Sequence, residues 1–223
     1  MQKLFNADIL DIFFTDDGLV YASKEILEDG KEAISFIAYD FEIDRFKKIP
    51  VSEYIDFKFS GYDYNISKNL IDFVTCKIRR LSPTENIAIY GDGKLKFFDN
   101  DGNITKTSVI EYNGNEAGYS EVTENEIWAP IPNGNTVVNY SLIHNRIEMR
   151  IGSKNEKAFS KPTDVSIYDG CLYVCNAASF KINTVGLNSY SVNEYAIFNE
   201  PVYRYFRNGQ DEFVLLKSGL FVL

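Results

Sequence analysis

Carboxylates are the side chains of this chain best placed to do chemistry. Asp8, Asp11, Glu116, Asp164 and Glu200 each sit within or beside an apolar stretch, and Asn176 closes another. Oxygen donors of this kind suit Ca²⁺ or Mg²⁺. Two carboxylates held at a defined separation could instead supply the acid and base of glycoside hydrolysis. Acids also collect at strand ends and turns simply because water solvates them there, so residue type alone leaves the catalytic, binding and structural readings open.

The other reactive side chains offer less. Cys171 and Cys175 lie four apart in an extended run, on one side of a strand and about 13 Å apart by strand rise, too far for a disulfide or a shared metal. With Cys76 they are read as reduced, buried and apolar in character. His144 is the single histidine, in a turn (IHNR), which excludes a multi-histidine metal site within one chain. No nucleophile-elbow, GxxxxGK[ST] or GxGxxG pattern is present, so neither a serine hydrolase nor a nucleotide site has support. A formal charge of −9 disfavours nucleic acid, whose phosphates need clustered lysine and arginine.

The elements that must position these residues are strands. Hydrophobic residues make up 45% of the chain and aromatics 15%, with 17 Phe and 15 Tyr, a balance that favours pleated surfaces. Asp-Gly pairs at Asp16-Asp17-Gly18, Asp92-Gly93 and Asp169-Gly170 separate apolar runs, and glycine there supplies the positive φ of a tight hairpin. Around Lys161–Asn183 the chain reads strand, turn, strand, turn, strand. The same layout begins at Ile9, near Phe73, near Gly118, at Pro162 and at Pro201, with the later starts roughly 39–45 residues apart, a blade-length repeat. No segment longer than about ten residues has a convincing helical period, so helix content should be very low.

The whole of residues 1–223 is therefore expected to be one all-β domain, a small five-bladed β-propeller. Its last unit supplies only three strands, and MQKLF at the start has no local partner. One event explains both: the first strand completes the last blade and closes the ring, so that no apolar edge is left exposed. Residues 51–72 interrupt the rhythm and are expected to form an insertion between the first two blades, either an extra hairpin or an ordered loop. Its alternating Tyr54, Phe57, Phe59, Tyr62 and Tyr64 fit a half-buried strand, or a surface for stacking sugars or docking a protein. A two-sheet sandwich is the alternative fold and would leave the terminal half-unit unexplained.

Within Lys161–Ile182, the residues Pro162, Thr163, Asp164, Val165, Ile167, Asp169, Gly170, Leu172, Tyr173, Val174 and Asn176 resemble blades of the NHL and SMP-30/gluconolactonase-like propellers. The likeness covers about a tenth of the chain by residue count; Asn176 stands where those blades usually carry aspartate, and they usually number six. It implies the fold. It also implies that acids flanking the innermost strands would gather at a central channel, where the SMP-30-like families hold a divalent cation.

The leading expectation is a non-enzymatic binding scaffold that presents loops around the channel to a protein or a small polar or carbohydrate ligand, with no cofactor. The alternative is a metal-assisted hydrolase, lactonase- or glycosidase-like, using Asp8, Asp11, Glu116, Asp164, Asn176 and Glu200 with Ca²⁺ or Mg²⁺. With no export signal or membrane-length apolar segment, the sequence reads as a cytoplasmic monomer.

Overall fold

The structure is a computed structural model and describes residues 1–5, 8–60, 70–152 and 158–223. Its first strand, β1 (Gln2–Phe5), stands apart from the strands that follow it. Blade 1 is β2 (Ile9–Phe14), β3 (Gly18–Ile26), β4 (Glu32–Asp40) and β5 (Arg45–Ile49), followed by helix α1 (Val51–Lys58). Blade 2 is β6 (Cys76–Arg80), β7 (Asn86–Tyr90), β8 (Lys94–Phe98) and β9 (Ile104–Val109). A short hairpin, β10 (Glu111–Tyr112) and β11 (Asn115–Glu116), leads into blade 3: β12 (Glu121–Val122), β13 (Glu126–Ile131), β14 (Thr136–Ser141) and β15 (Arg146–Ile151). Blade 4 is β16 (Pro162–Tyr168), β17 (Cys171–Asn176), β18 (Lys181–Gly186) and β19 (Val192–Ile197). Blade 5 begins with β20 (Val202–Asn208), β21 (Asp211–Leu216) and β22 (Gly219–Val222).

Each blade is a four-stranded antiparallel meander, and the five make a propeller. Blade 5 takes its fourth strand from the other end of the chain. In its sheet the order is β1–β22–β21–β20, with Gln2 opposite Val222 and Lys3 opposite Phe221. Phe5 then reaches out of that blade, stacking on Tyr21 at 5.0 Å and meeting Phe46 edge-on at 5.3 Å, both in blade 1. The expected ring closure is thus built.

Apolar clusters fill the seams between neighbouring blades. Ile87, Ile89, Ile127 and Ala129 join blades 2 and 3. Trp128, Val137, Val165 and Leu172 join blades 3 and 4, while Tyr173, Ile182, Tyr205 and Val214 join blades 4 and 5. The middle strands of each blade are the most apolar because both their faces meet another blade.

The insertion departs from the expectation. It contributes a helix to the seam between blades 1 and 2, where Tyr54, Ile55 and Phe59 pack with Val20, Phe73 and Phe98. Glu53 in the first turn and Lys58 in the last have the signs that suit the helix dipole. The alternating aromatics looked like a strand, but Tyr54, Ile55, Lys58 and Phe59 follow one helical face. Tyr62 and Tyr64 lie outside the described residues. A second short element, the hairpin of β10 and β11, sits between blades 2 and 3.

Candidate functional site

The innermost strands β2, β6, β12, β16 and β20 run side by side around the axis, and three of them carry the same irregularity. A bulge follows Ile9, Pro162 and Val202, so that Leu10, Thr163 and Tyr203 are each the extra residue. A bulge bends the strand and re-aims the next side chain. In these blades that next residue is Asp11, Asp164 or Arg204, and all three are buried.

Each bulge also leaves a backbone carbonyl without its ladder partner, and another blade takes it. The Tyr119 hydroxyl donates to Leu10 O at 2.9 Å. The Tyr119 amide donates to Thr163 O at 3.0 Å, and the Thr163 hydroxyl donates to Tyr203 O at 2.9 Å. The Val165 amide returns a bond to Tyr119 O at 2.9 Å, stitching the inner edges of blades 3 and 4 together. Gly118 is required beside this stitch, because a Cβ there would lie 2.5 Å from Thr163 O.

Every blade sends one charged residue to this layer: Asp11, Lys77, Glu121, Asp164 and Arg204. Helix α1 adds Lys58, and Arg79 joins from the far end of β6. Asp11 accepts from Tyr54 and Lys58, each at 2.6 Å, and Arg204 Nη1 lies 3.7 Å from its other oxygen. Lys77 donates to Asp164 at 3.1 Å and to Val165 O at 2.9 Å, with Glu121 at 3.7 Å. Arg79 grips Glu121 with two bonds, 2.8 and 2.9 Å. The Arg204 guanidinium lies 4.2 Å from the Tyr119 ring centre and 4.8 Å from that of Phe206.

Burial and pairing compete here. Burial raises the Asp164 carboxyl, outweighing Lys77 and Arg204. For Glu121 burial is again the largest influence, but Lys77 and Arg79 together overcome it and hold the carboxyl below its ordinary range. Burial opposes the Arg204 charge, yet Asp164, Tyr119 and Asp11 hold its pKa above the ordinary value.

Two hollows meet this layer. Toward the starts of the inner strands, Asp8, Tyr119, Tyr203, Arg204 and residues 215–218 line an open depression of about 600 Å³. Toward their other ends, Lys58, Lys77, Arg79, Glu121, Ser166 and Arg204 are among the residues around a smaller cavity of about 230 Å³. Arg204 borders both. It is the partition.

The acids singled out in the sequence separate accordingly. Asp11 and Asp164 are brought to either side of Arg204. Asp8 is exposed at the rim of the larger depression, and Glu200 accepts a bond from Ser218 of the same rim at 2.5 Å. Glu116 is exposed in the hairpin before blade 3. Asn176 is buried inside blade 4, accepting from the Ser160 amide and donating to Val174 O and Asn183, and is fully used as a structural tie. Among the described residues no three His, Cys, Asp or Glu side chains are grouped to hold a metal ion. The six residues do not form one constellation.

His144 is exposed in its turn and meets Glu148 at 2.6 Å and Ser141 Oγ at 3.4 Å. Both use the same ring nitrogen, Nδ1, so this is not a relay, which needs one nitrogen for the acid and the other for the hydroxyl. The thiols of Cys76, Cys171 and Cys175 are unbridged, and burial pushes that of Cys76 up to about 11.

The cations were the missed half of the site. Lys77 and Arg79 alternate along CKIRR, and Arg204 interrupts VYRYF, each within an innermost strand. Charges at such positions must be paired or reach a cavity, and that was the readable signal.

No protein-family model matches the chain, and no curated protein does. Solved structures do share its fold. The WD40 β-propeller domain of Doa1 superposes with a TM-score of 0.55 at 11% identity over 96% of this chain, and U3-55K with 0.51 at 9% over 97%. This chain spans 62% and 61% of those two chains. At such identities the likeness is one of fold alone.

Proposed function

We propose that the protein is a non-enzymatic binding scaffold, a monomer of the cytoplasm whose propeller presents its channel and surrounding loops to a partner. One observation carries this reading: the acids that reach the channel are already neutralised by the chain's own lysines and arginines. Asp11 holds Lys58, Asp164 holds Lys77, and Glu121 holds Arg79. A hydrolase would need a carboxylate pair free to exchange protons, or oxygen ligands free for an ion. Here the buried acids Asp11, Glu121 and Asp164 each face an internal cation. The propeller fold supports a display role without assigning one, since function lies in the site rather than the architecture. Kinship with the NHL and SMP-30-like propellers is part of the proposal, resting on the blade at Pro162–Asn176.

The test is thermal unfolding after chelation, with Ca²⁺, Mg²⁺, Mn²⁺ and Zn²⁺ added back singly. A bound ion raises stability by about 2.7 kcal/mol at a hundredfold excess over its dissociation constant. The expected response is flat for all four, together with no turnover of lactones or glycosides. A rise with one ion, abolished in Asp164→Asn, overturns the proposal in favour of the metal-assisted hydrolase.

A further inference from the structure

Helix α1 is short for the blade it lies against. Its eight residues span about 12 Å, whereas the nine of β4 span about 30 Å. Where the helix ends, blade 1 keeps an open groove of about 690 Å³, within the size range of ligand sites. Val20 and Ala38 line it from β3 and β4, Phe57 lines it from α1, and the turns at residues 15–17 and 40–45 border it. Ile43 is 63% exposed there, in a turn fixed by Asp40 Oδ1, which accepts from the Glu42 and Ile43 amides at 2.8 and 3.2 Å.

The charge of the chain is concentrated on this side. Residues 8–60 carry 13 Asp and Glu against 6 Lys and Arg, a formal −7 of the −9 of the whole chain. At the groove itself Asp16, Asp17, Asp40 and Glu53 stand against Arg45 and Lys47, and Glu53 already holds Lys47 at 2.9 Å. Asp16 and Asp17 are exposed, and among the described residues no side chain pairs with either carboxylate. Neighbouring acids left unpaired beside an apolar groove select a partner of opposite charge and speed its approach. The same charge repels nucleic acid and anionic membrane surfaces.

We propose that this groove docks a segment of a partner protein in which an aliphatic or aromatic anchor is flanked by lysine or arginine. The anchor packs against Phe57, Ala38 and Ile43, and the flanking cations meet Asp16 and Asp17. This gives the scaffold a kind of partner and a place for it outside the channel, and so rests on the scaffold reading.

Selection of a random peptide library, displayed on phage, against the full chain tests the proposal. The selected peptides should share an apolar anchor beside lysine or arginine. A synthetic copy of the leading sequence should bind saturably in fluorescence anisotropy, and less tightly as salt rises. Asp16→Asn combined with Asp17→Asn should weaken it roughly three- to tenfold, the worth of two exposed ion pairs. Ile43→Ser should weaken it as well. Because all three side chains are exposed, these variants should keep the urea midpoint of the parent. Glu111→Gln combined with Glu116→Gln removes the same charge from the exposed hairpin before blade 3 and should leave binding unchanged. A library that yields no consensus, or one lacking either the bases or the anchor, overturns the proposal. So does binding that the groove variants leave undiminished, or that the hairpin variant weakens equally, which marks attraction to the acidic chain at large. A chain that sediments as a dimer and becomes monomeric with Ile43→Ser gives the groove to a second copy, and overturns it likewise. These failures leave the cation series flat, whereas a stabilising ion in that series removes the scaffold reading itself.

Discussion

Replacing Lys58 by Met should destabilise the protein by about 3 kcal/mol, the lower end of the cost of breaking a buried ion pair. The side chains of Lys58 and Asp11 are 5% and 4% exposed, and their charged atoms are 2.6 Å apart. Methionine keeps most of the lysine stem and so the packing of α1, leaving the lost ammonium as the main change. Asp11 would retain the Tyr54 hydroxyl at 2.6 Å and the Arg204 guanidinium at 3.7 Å, which is why the cost stays below the upper end of the range. For a chain of this size, about 3 kcal/mol corresponds to a drop of roughly 6–12 °C in the melting midpoint. Urea unfolding followed by the fluorescence of Trp128, buried in blade 3, would measure it, with a lower midpoint and an unchanged slope. Asp11→Asn alone should cost a similar amount, but the double variant should cost less than the sum by about 2 kcal/mol, since neither partner is then left buried and alone. A loss below about 0.5 kcal/mol for Lys58→Met, or strict additivity in the cycle, would refute the claim that α1 neutralises the channel.

Three further outcomes follow from the same geometry. Phe5→Ala removes the ring bridging the closing strand to Tyr21 and Phe46, and should cost about 2–3 kcal/mol in urea unfolding; a cost near zero would mean that the backbone pairing of β1 suffices. Glu121→Gln should destabilise most at neutral pH: a carboxyl whose folded pKa is depressed contributes fully above its ordinary value of 4.5 and loses that contribution as pH falls through the folded value. The gap between parent and variant should therefore narrow in acid, and a gap constant with pH would contradict the pairing with Lys77 and Arg79. Gly91→Ala places a Cβ 2.5 Å from the Tyr119 ring and should cost about 1–3 kcal/mol by displacing that ring from Arg204, visible as an earlier urea midpoint; an unchanged midpoint would show that the ring moves freely.

The strands could be read from the chain because their determinants are local. Asp92-Gly93 and Asp169-Gly170 fix their hairpins with the glycine at positive φ, and the apolar runs on either side become paired strands. Ring closure was legible too, since an unmatched first strand and a three-stranded last unit complement each other. The helix was not. Its Tyr54, Phe57 and Phe59 mimic a period of two, and only the burial of Tyr54, Ile55 and Lys58 together reveals the helical face. The centre of the channel was half legible. Asp11 and Asp164 stand out as acids within apolar strands, but the bulges that turn them inward depend on pairing with the neighbouring strand, which composition does not encode. The cations that quench them come from three separate stretches, at Lys58, at Lys77 and Arg79, and at Arg204, and only the closed ring brings those together.

The closing strand also sets a schedule. Among the strands of the propeller β1 is made first, while β22, its partner, is made after all the others. Four blades can form and pack in order behind it, each from contiguous chain. The fifth must wait, and until it forms, blade 1 shows an apolar flank and β1 an unpaired edge. Domains emerge at only about 5–20 residues per second, so that exposure lasts some seconds even in fast translation, long enough for non-native pairing to compete. The ring is therefore most vulnerable before it is whole, while β1 still lacks the strand it pairs with.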